Sequence, residues 1–428
     1  MAASIVESIM TPVMRRLRNK PLSDYGRLTR RIGEGGFGVV DLYSHGTEQY
    51  AVKETKAMQD DGDSFHNILT EVVFPMTLNH PNIIEYYDVY LSNVNTVQIV
   101  MPAATMDLGR LIRTKYFHDH PERVKLAAAQ LISAVAYLTR HNILHCDIKP
   151  ENVLCFENDG VSELRSRSKS PLGDDKSRED KDEVEYTYKL ADFGLSQSNT
   201  CLRDNDLYAI YTVWYRPPEI LEMQLQDLKV PYSEKADVWA LGCTLYGLLG
   251  HGALFAVDSG PNEKRDVLAL IERTFGWRTP QRPPNWHGAE PEFQILLEAI
   301  LEINPRNRSD IFALQDYSYF DGFDREEHGV SYIESLDCGD RYHQFSGILP
   351  IGSLDVYSND DLKVIMGWGS LVMQEYIESM MLYDYDVART DGMAKMLFLA
   401  YISQIPVKRE FIQAPMCAAM YIAVNWYT

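Results

Sequence analysis

His145-Cys146-Asp147-Ile148-Lys149-Pro150-Glu151-Asn152 sets an ammonium two residues, and an amide five residues, after one acid; Asp192-Phe193-Gly194 adds a second acid downstream. Moving a phosphoryl group from a nucleotide to a hydroxyl needs a carboxylate at the acceptor, a cation at the γ-phosphate and hard oxygen ligands for Mg²⁺. Asp147 is the candidate to orient the hydroxyl and receive its proton, Lys149 to steady the γ-phosphate, and Asn152 with Asp192 to hold the metal. Any one of them alone is an ordinary polar loop residue. The whole set at this spacing decides the reading.

Upstream, Gly33-Glu34-Gly35-Gly36-Phe37-Gly38-Val39-Val40 is followed by β-type residues and then by Ala51-Val52-Lys53. A Gly-x-Gly-x-x-Gly pattern alone also fits dinucleotide-binding folds, in which a helix comes next. Here a second strand comes next, which describes a hairpin lid over phosphates with a lysine on the following strand to pair with them. Gly33, Gly35, Gly36 and Gly38 let the backbone approach a nucleotide that a Cβ would meet. Lys53 needs a carboxylate to fix its long stem, and Glu71 is the candidate, ten residues before Pro81 of His80-Pro81-Asn82. Pro75 falls inside the helix expected around Glu71 and predicts that this helix is short or bent.

On these motifs the chain resembles the cyclin-dependent branch of the eukaryotic-type serine/threonine protein kinases. The resemblance implies an α+β, bilobal fold, with a small β-rich lobe and a large helical lobe, and ATP and Mg²⁺ as cofactors. It implies the Lys53–Glu71 pair and a hinge within Gln98 to Leu108, where Pro102 offers a carbonyl and Ala104 an N–H to adenine. Met101 would be the gatekeeper, and Val40, Ala51 and Asp107 join the nucleotide site. Thr212, in Thr212-Val213-Trp214-Tyr215-Arg216-Pro217-Pro218-Glu219, is expected to bond the Asp147–Lys149 pair. Asp237 would anchor the catalytic loop and Glu219 would pair with Arg308, both as structural groups. Asp147-Ile148-Lys149-Pro150 favours serine and threonine over tyrosine, and Tyr215-Arg216 resembles the proline-directed kinases, so Ser/Thr-Pro sites in protein substrates are expected.

The departures from that family agree with one another. Its three phosphate-binding arginines correspond to Thr70, Cys146 and Gln197, and its activating phosphothreonine to Leu207. Basic partners without a phosphate repel, and a phosphate without them orders nothing. The inhibitory threonine–tyrosine pair of the glycine loop corresponds to Gly36-Phe37. The chain therefore reads as a kinase without either phosphorylation switch. Drift into a pseudoenzyme scaffold is the alternative, but Lys53, Asp147, Asn152 and Asp192 are all present.

The remaining organisation is coarser. Residues 1–24 form a lead-in, 25–324 the kinase domain, and 325–360 a polar linker. Residues 157–185, charged and serine-rich around Ser170-Pro171, form an insertion too polar to bury. It reads as a passive surface loop, with self-phosphorylation or docking as the competing reading. From Asp361 to Thr428 apolar residues recur at helical spacing: Leu362, Val364, Ile365, Trp368, Leu371, Val372 and Tyr376 open the run. This all-α stretch weakly resembles the first three helices of a cyclin box, through Val364-Ile365, Leu397-Phe398-Leu399-Ala400, Pro406-Val407-Lys408-Arg409 and Ala418-Ala419-Met420-Tyr421. That resemblance implies an activator tethered in cis and, by analogy with kinase–cyclin fusions, a large DNA virus as the source; an unrelated helical tail is the alternative. A net charge of −20 argues against nucleic acid as partner. No apolar run is long enough to span a membrane. The 6 cysteines lack disulfide or Cys-x-x-Cys spacing, which points to a reducing, intracellular setting, cytoplasmic or nuclear.

Overall fold

Strand-forming residues alternate through 27–56 with a reversal at each glycine-containing turn, and this stretch folds as three antiparallel strands. The computed structural model describes residues 21–35, 38–56, 71, 74–75, 78–93, 96–141, 143–158, 184–198, 212–228, 233–250, 252–276, 281–283 and 286–335. The lead-in to residue 20, Thr70, the Leu207 segment and the cyclin-like stretch from 361 lie outside the described residues.

Strands β1 (Arg27–Gly35), β2 (Gly38–His45), β3 (Glu48–Lys56), β4 (Asp88–Asn93) and β5 (Thr96–Pro102) form one antiparallel sheet in the order β1-β2-β3-β5-β4. Gly35 faces Gly38 across the first hairpin. Gly38 has φ 139°, and a Cβ there would lie 2.0 Å from the Glu54 carbonyl oxygen, so only glycine lets β2 turn this close to β3.

Pairing register assigns the two faces of this sheet. Val40 is opposite Lys53 and Lys53 opposite Ile99; Leu42 is opposite Ala51 and Ala51 opposite Met101. Paired residues share a face, so Val40, Ala51, Ile99 and Met101 flank Lys53 on the inner face. Tyr50, Val52 and Val100 alternate to the outer face and form a second small core with Tyr25. Tyr25 ends a 3₁₀ turn (Leu22–Tyr25) and its buried hydroxyl donates to Asp88.

The large lobe is built on α1 (Leu108–Arg113), α2 (Tyr116–Asp119) and the 19-residue α3 (Glu122–Arg140). Alanines 127, 128, 129, 134 and 136 are fully buried, which lets neighbours approach α3 closely. Short β7 (Ile143–Leu144) leads into the catalytic loop; β8 (Val153–Glu157) lies between β6 (Met106–Asp107) and β9 (Tyr186–Leu190) in a three-stranded sheet. β10 (Gln197–Ser198) pairs with β7. Helices α4 (Pro218–Leu225), α5 (Glu234–Gly247), α6 (Glu263–Phe275) and α7 (Pro291–Ile300) complete it. All of α5 from Ala236 to Gly247 is buried, as expected of a helix apolar on every side. A Cβ on Gly242 would sit 2.4 Å from Ile300, so that glycine sets the α5–α7 approach.

Two boundaries differ from those expected. Residues 157, 158, 184 and 185, assigned to the polar insertion, continue the β8–β9 hairpin: Glu157 is opposite Tyr186, and Asn158 N–H donates to Glu185 O at 3.0 Å. The rest of the insertion, 159–183, lies outside the described residues. Residues 325–335, assigned to a linker for their polarity, pack on the large lobe and bury Val330 and Ile333. Among the described residues no helix is long and apolar enough to cross a membrane.

Candidate active site

The catalytic loop hangs from α5. Asp237 on its first turn accepts the backbone N–H of His145 at 2.6 Å and of Cys146 at 3.0 Å. Cys146 has φ 64°, a left-handed conformation that is strained for a side-chain-bearing residue and that these two bonds hold in place. The buried His145 ring is kept neutral by desolvation, which lowers its pKa against the pull of Asp237, Asp147 and Asp192. Its Nδ1 accepts the Asp147 N–H at 3.3 Å, so Nε2–H donates to the Ala191 carbonyl at 3.1 Å. Asn152 O accepts Ala191 N–H at 2.9 Å. Loop and ring thus clasp the residue before Asp192, which itself takes φ 67°.

Four donors converge on the buried Asp147 carboxylate. Oδ1 accepts the Thr212 N–H at 3.1 Å and the Thr212 hydroxyl at 2.9 Å; Oδ2 accepts Lys149 Nζ at 2.6 Å and Asn152 Nδ2 at 2.8 Å. The Thr212 hydroxyl, having given its proton to Asp147, accepts from Lys149 Nζ at 2.9 Å. The expected Asp147–Lys149–Thr212 constellation is therefore closed in both directions. Asn152 spends its N–H bonds on Asp147, on the carboxylate and on the backbone O at 2.8 Å, which leaves its amide oxygen as the atom available to a cation.

Across the cleft, Lys53 Nζ donates to Glu71 Oε1 and, at 3.1 Å, to Asp192 Oδ1. Burial disfavours the Lys53 ammonium, but Glu71 and Asp192 outweigh it and hold the lysine protonated. Burial pushes the Glu71 carboxyl up, opposed by Lys53; both its oxygens face donors, Lys53 Nζ and the Thr55 hydroxyl at 3.5 Å, so this geometry holds the carboxylate. For Asp192 burial is likewise unfavourable, and the Lys53 ammonium, helped by Lys149, brings its pKa below the ordinary value. Pro75 is itself helical and buried, and Leu78 N–H donates to Phe74 O at 3.0 Å, so a helical turn continues past the proline. The extent of that helix lies outside the described residues.

The residues expected at the nucleotide fall on the inner sheet face and its edge. Met101 is buried opposite Ala51, while Pro102 and Ala104 are partly exposed on the connector. That connector is tied to β8 by Thr105 N–H donating to Cys155 O at 2.9 Å. Asp107 has a further duty: its Oδ1 caps α1 by accepting Arg110 N–H at 2.8 Å, and Oδ2 meets Arg110 Nε at 3.1 Å. Gly33 and Gly35 end β1 and Gly38 opens β2; Gly36 lies outside the described residues. Sequence reasoning did not single out His145, Ala191, Thr55 or the partly buried Leu154 opposite Asp107. His145 stands inside a quoted motif and Ala191 just before one, but their roles are backbone contacts that residue type does not announce.

Hard oxygen donors fit Mg²⁺ better than a thiol or imidazole set would, and Asn152 Oδ1 with the Asp192 carboxylate supply them. The large lobe is closed by Glu219 and Arg308, which meet through two bonds of 2.7 and 2.9 Å, the guanidinium fully buried over Trp239.

The family model for the protein kinase domain matches residues 27–320. Among curated proteins the chain is similar to a probable myosin light chain kinase of Dictyostelium discoideum, 27% identical over 68% of this chain and 52% of that protein. It is similar to extracellular signal-regulated kinase 2 of the same organism, 29% identical over 66% of this chain and 69% of that protein. Cyclin-dependent kinase 2 of Caenorhabditis elegans is 25% identical over 64% of this chain and 67% of its own length. The chain thus spans from about half to two thirds of the relatives it matches.

Proposed function

We propose, from the premise that this chain belongs to the protein kinase family, that it phosphorylates serine and threonine in protein substrates and that it needs no activation-loop phosphate to do so. Its kinase domain is of the serine/threonine class and uses ATP and Mg²⁺. The observation that carries the reading is the Lys53 ammonium bridging Glu71 and Asp192 within one chain, opposite an Asp147 carboxylate already dressed by Lys149 and Thr212.

In the reaction, Asp147 exchanges one of its four donors for the acceptor hydroxyl. The hydroxyl oxygen bonds to the γ-phosphorus, the bond to the β–γ bridging oxygen breaks, and the hydroxyl proton passes to Asp147. Lys149 follows the charge on the transferring group, and Lys53 holds the phosphates of the leaving nucleotide. Asn152 and Asp192 would hold Mg²⁺, which would supply countercharge to the phosphate oxygens. Because Thr212 and Lys149 grip Asp147 from two sides, the base is oriented before the acceptor arrives.

Two finer readings belong to the same proposal. Substrates carry proline after the target residue, which the Trp214-Tyr215-Arg216 resemblance supports; Arg216 is buried with Nη1 donating to Gln224 at 2.6 Å. The C-terminal stretch from 361 is the activator, acting in cis at high effective concentration on the Glu71 helix. The test compares the full chain with one ending at Ser335, on paired peptides differing only in Pro or Ala after the serine. A preference for Pro, and loss of rate on truncation, are expected; equal rates on both peptides sink the first reading, and equal rates for both chains sink the second.

A further inference from the structure

Residues 325–335 cross the back of the large lobe and are held there chiefly through their backbone. Ile333 N–H donates to Gln315 Oε1 at 2.9 Å, and Gln315 Nε2 donates back to Ile333 O at 2.8 Å. Tyr332 donates to Asp316 at 2.8 Å, Arg325 to the Gln315 carbonyl, and Arg140, at the end of α3, to Glu334 O at 3.1 Å. Between these anchors the Ser133 hydroxyl donates to Ser331 O at 2.5 Å.

That last bond fixes the direction of a longer chain. A hydroxyl has one proton. With it given to Ser331, Ser133 must accept from His80 Nε2 at 3.1 Å. His80 Nδ1 then carries no proton and accepts Asn82 N–H at 3.1 Å. The strap is connected in this way to the loop 78–84, whose Leu78 N–H donates to the carbonyl of helical Phe74. The loop is pinned at other points too: Asn79 N–H donates to the Tyr137 hydroxyl at 3.1 Å, and Asn82 Nδ2 to Gln130 at 2.8 Å and to Tyr188 O at 2.9 Å. Ile84 and Asn82 exchange backbone bonds with Leu190, the last residue of the strand that runs into Ala191 and Asp192. Ser133, His80 and Asn82 are buried, so water does not replace a lost partner.

We infer that residues 325–335 are a positioning strap for the Lys53–Glu71 pair, with Ser331 acting through Ser133 and His80 on the loop 78–84, which is bonded back to helical Phe74 through Leu78 N–H. Ser133 and His80 are positioning residues; neither touches the reacting atoms. The inference rests on kinase family membership but not on proline preference or on the cis activator.

Hydrogen exchange on the full chain tests it, with and without the Mg²⁺ complex of a non-hydrolysable ATP analogue. Coupling is reciprocal, so nucleotide engaging Lys53 slows exchange in 325–335 as well as in 78–84. Two full-chain variants add a kinetic readout: Gln315→Ala loosens the strap without touching the relay, and Ser133→Ala cuts the relay. Each lowers kcat about fivefold, the worth of one hydrogen bond at a tenfold change per 1.36 kcal/mol, and speeds exchange at 78–84. A strap whose exchange ignores nucleotide overturns the inference, and that measurement needs no variant to fold. So do variants that melt earlier yet keep kcat and loop exchange, as a merely structural strap would.

Discussion

Replacing Glu71 by glutamine keeps the side-chain volume and removes the charge that Lys53 faces. The Lys53 and Glu71 side chains are 12% and 3% exposed, so little solvent screens the pair. Removing one partner of a buried ion pair costs about 3–5 kcal/mol when the other charge is stranded. Here Lys53 is not stranded, because Asp192 lies 3.1 Å away with its side chain 30% exposed. The stability loss should therefore fall below that range, at about 1–2 kcal/mol. Catalysis suffers for the same reason: Lys53 leans toward Asp192, competes with the metal for its carboxylate and leaves the nucleotide phosphates. Losing a charge-assisted bond of about 1.5–3 kcal/mol in the transition state lowers kcat/KM by about ten- to a hundredfold. Steady-state rates at varied MgATP, beside urea unfolding of the same protein, read both numbers. A Glu71→Gln enzyme within twofold of the parent in kcat/KM would refute the reasoning, because the bridge would then do nothing for transfer.

Thr212→Val removes the hydroxyl between Lys149 and Asp147 and should lower kcat about tenfold, while Thr212→Ser keeps it and stays within about threefold; equal rates for both would contradict the account. Arg308→Met strands Glu219 and three carbonyl acceptors, Lys235, Glu302 and Ile303, and should cost about 3–5 kcal/mol in urea unfolding, with a loss under about 1 kcal/mol counting against it. His80 offers a pH test. Burial, then His141 and Lys189, bring its pKa from 6.5 down to about 4, so the folded state binds fewer protons than the unfolded one. Its contribution is intact above about pH 6.5 and is lost as pH falls toward 4, by about 3 kcal/mol. Tyr137 packs on the same ring, and its hydroxyl accepts the Asn79 N–H. Unfolding free energies at pH 4 and 7 should differ by about that amount more in the parent than in His80→Gln; identical pH slopes would contradict it.

The catalytic loop was legible because its chemistry is local. Asp147, Lys149 and Asn152 lie within six residues, so spacing alone brings them together. Lys53 and Glu71 were legible for another reason: a lysine with a long stem needs a carboxylate to fix it, and the resemblance to the kinase family places that carboxylate ten residues before Pro81. What stayed hidden is carried by the backbone or across long separations. Ser133 and Ser331 are 198 residues apart, and the contact is to a carbonyl that every residue possesses. Composition called 325–335 a linker because its grip is mostly hydrogen bonding, to which hydropathy is blind. Asp107 was placed at the nucleotide, yet its position before Leu108 also makes it a helix cap, a reading its residue type equally allows. Pro75 pointed to a short or bent helix, whose extent lies outside the described residues; a proline deletes its own N–H bond, while the bond from Leu78 to Phe74 needs nothing from it.

The central claim is that this chain assembles a working phosphoryl-transfer site by itself. The most direct test is a single-turnover transfer from labelled ATP to a serine peptide by the purified full chain, phosphatase-treated and without any added protein. Asp192→Asn serves as the paired control. The account predicts transfer by the parent, undiminished by phosphatase, and a rate at least a hundredfold lower in Asp192→Asn, about 3 kcal/mol of lost stabilisation. No transfer until a phosphate or a second protein is supplied would contradict it.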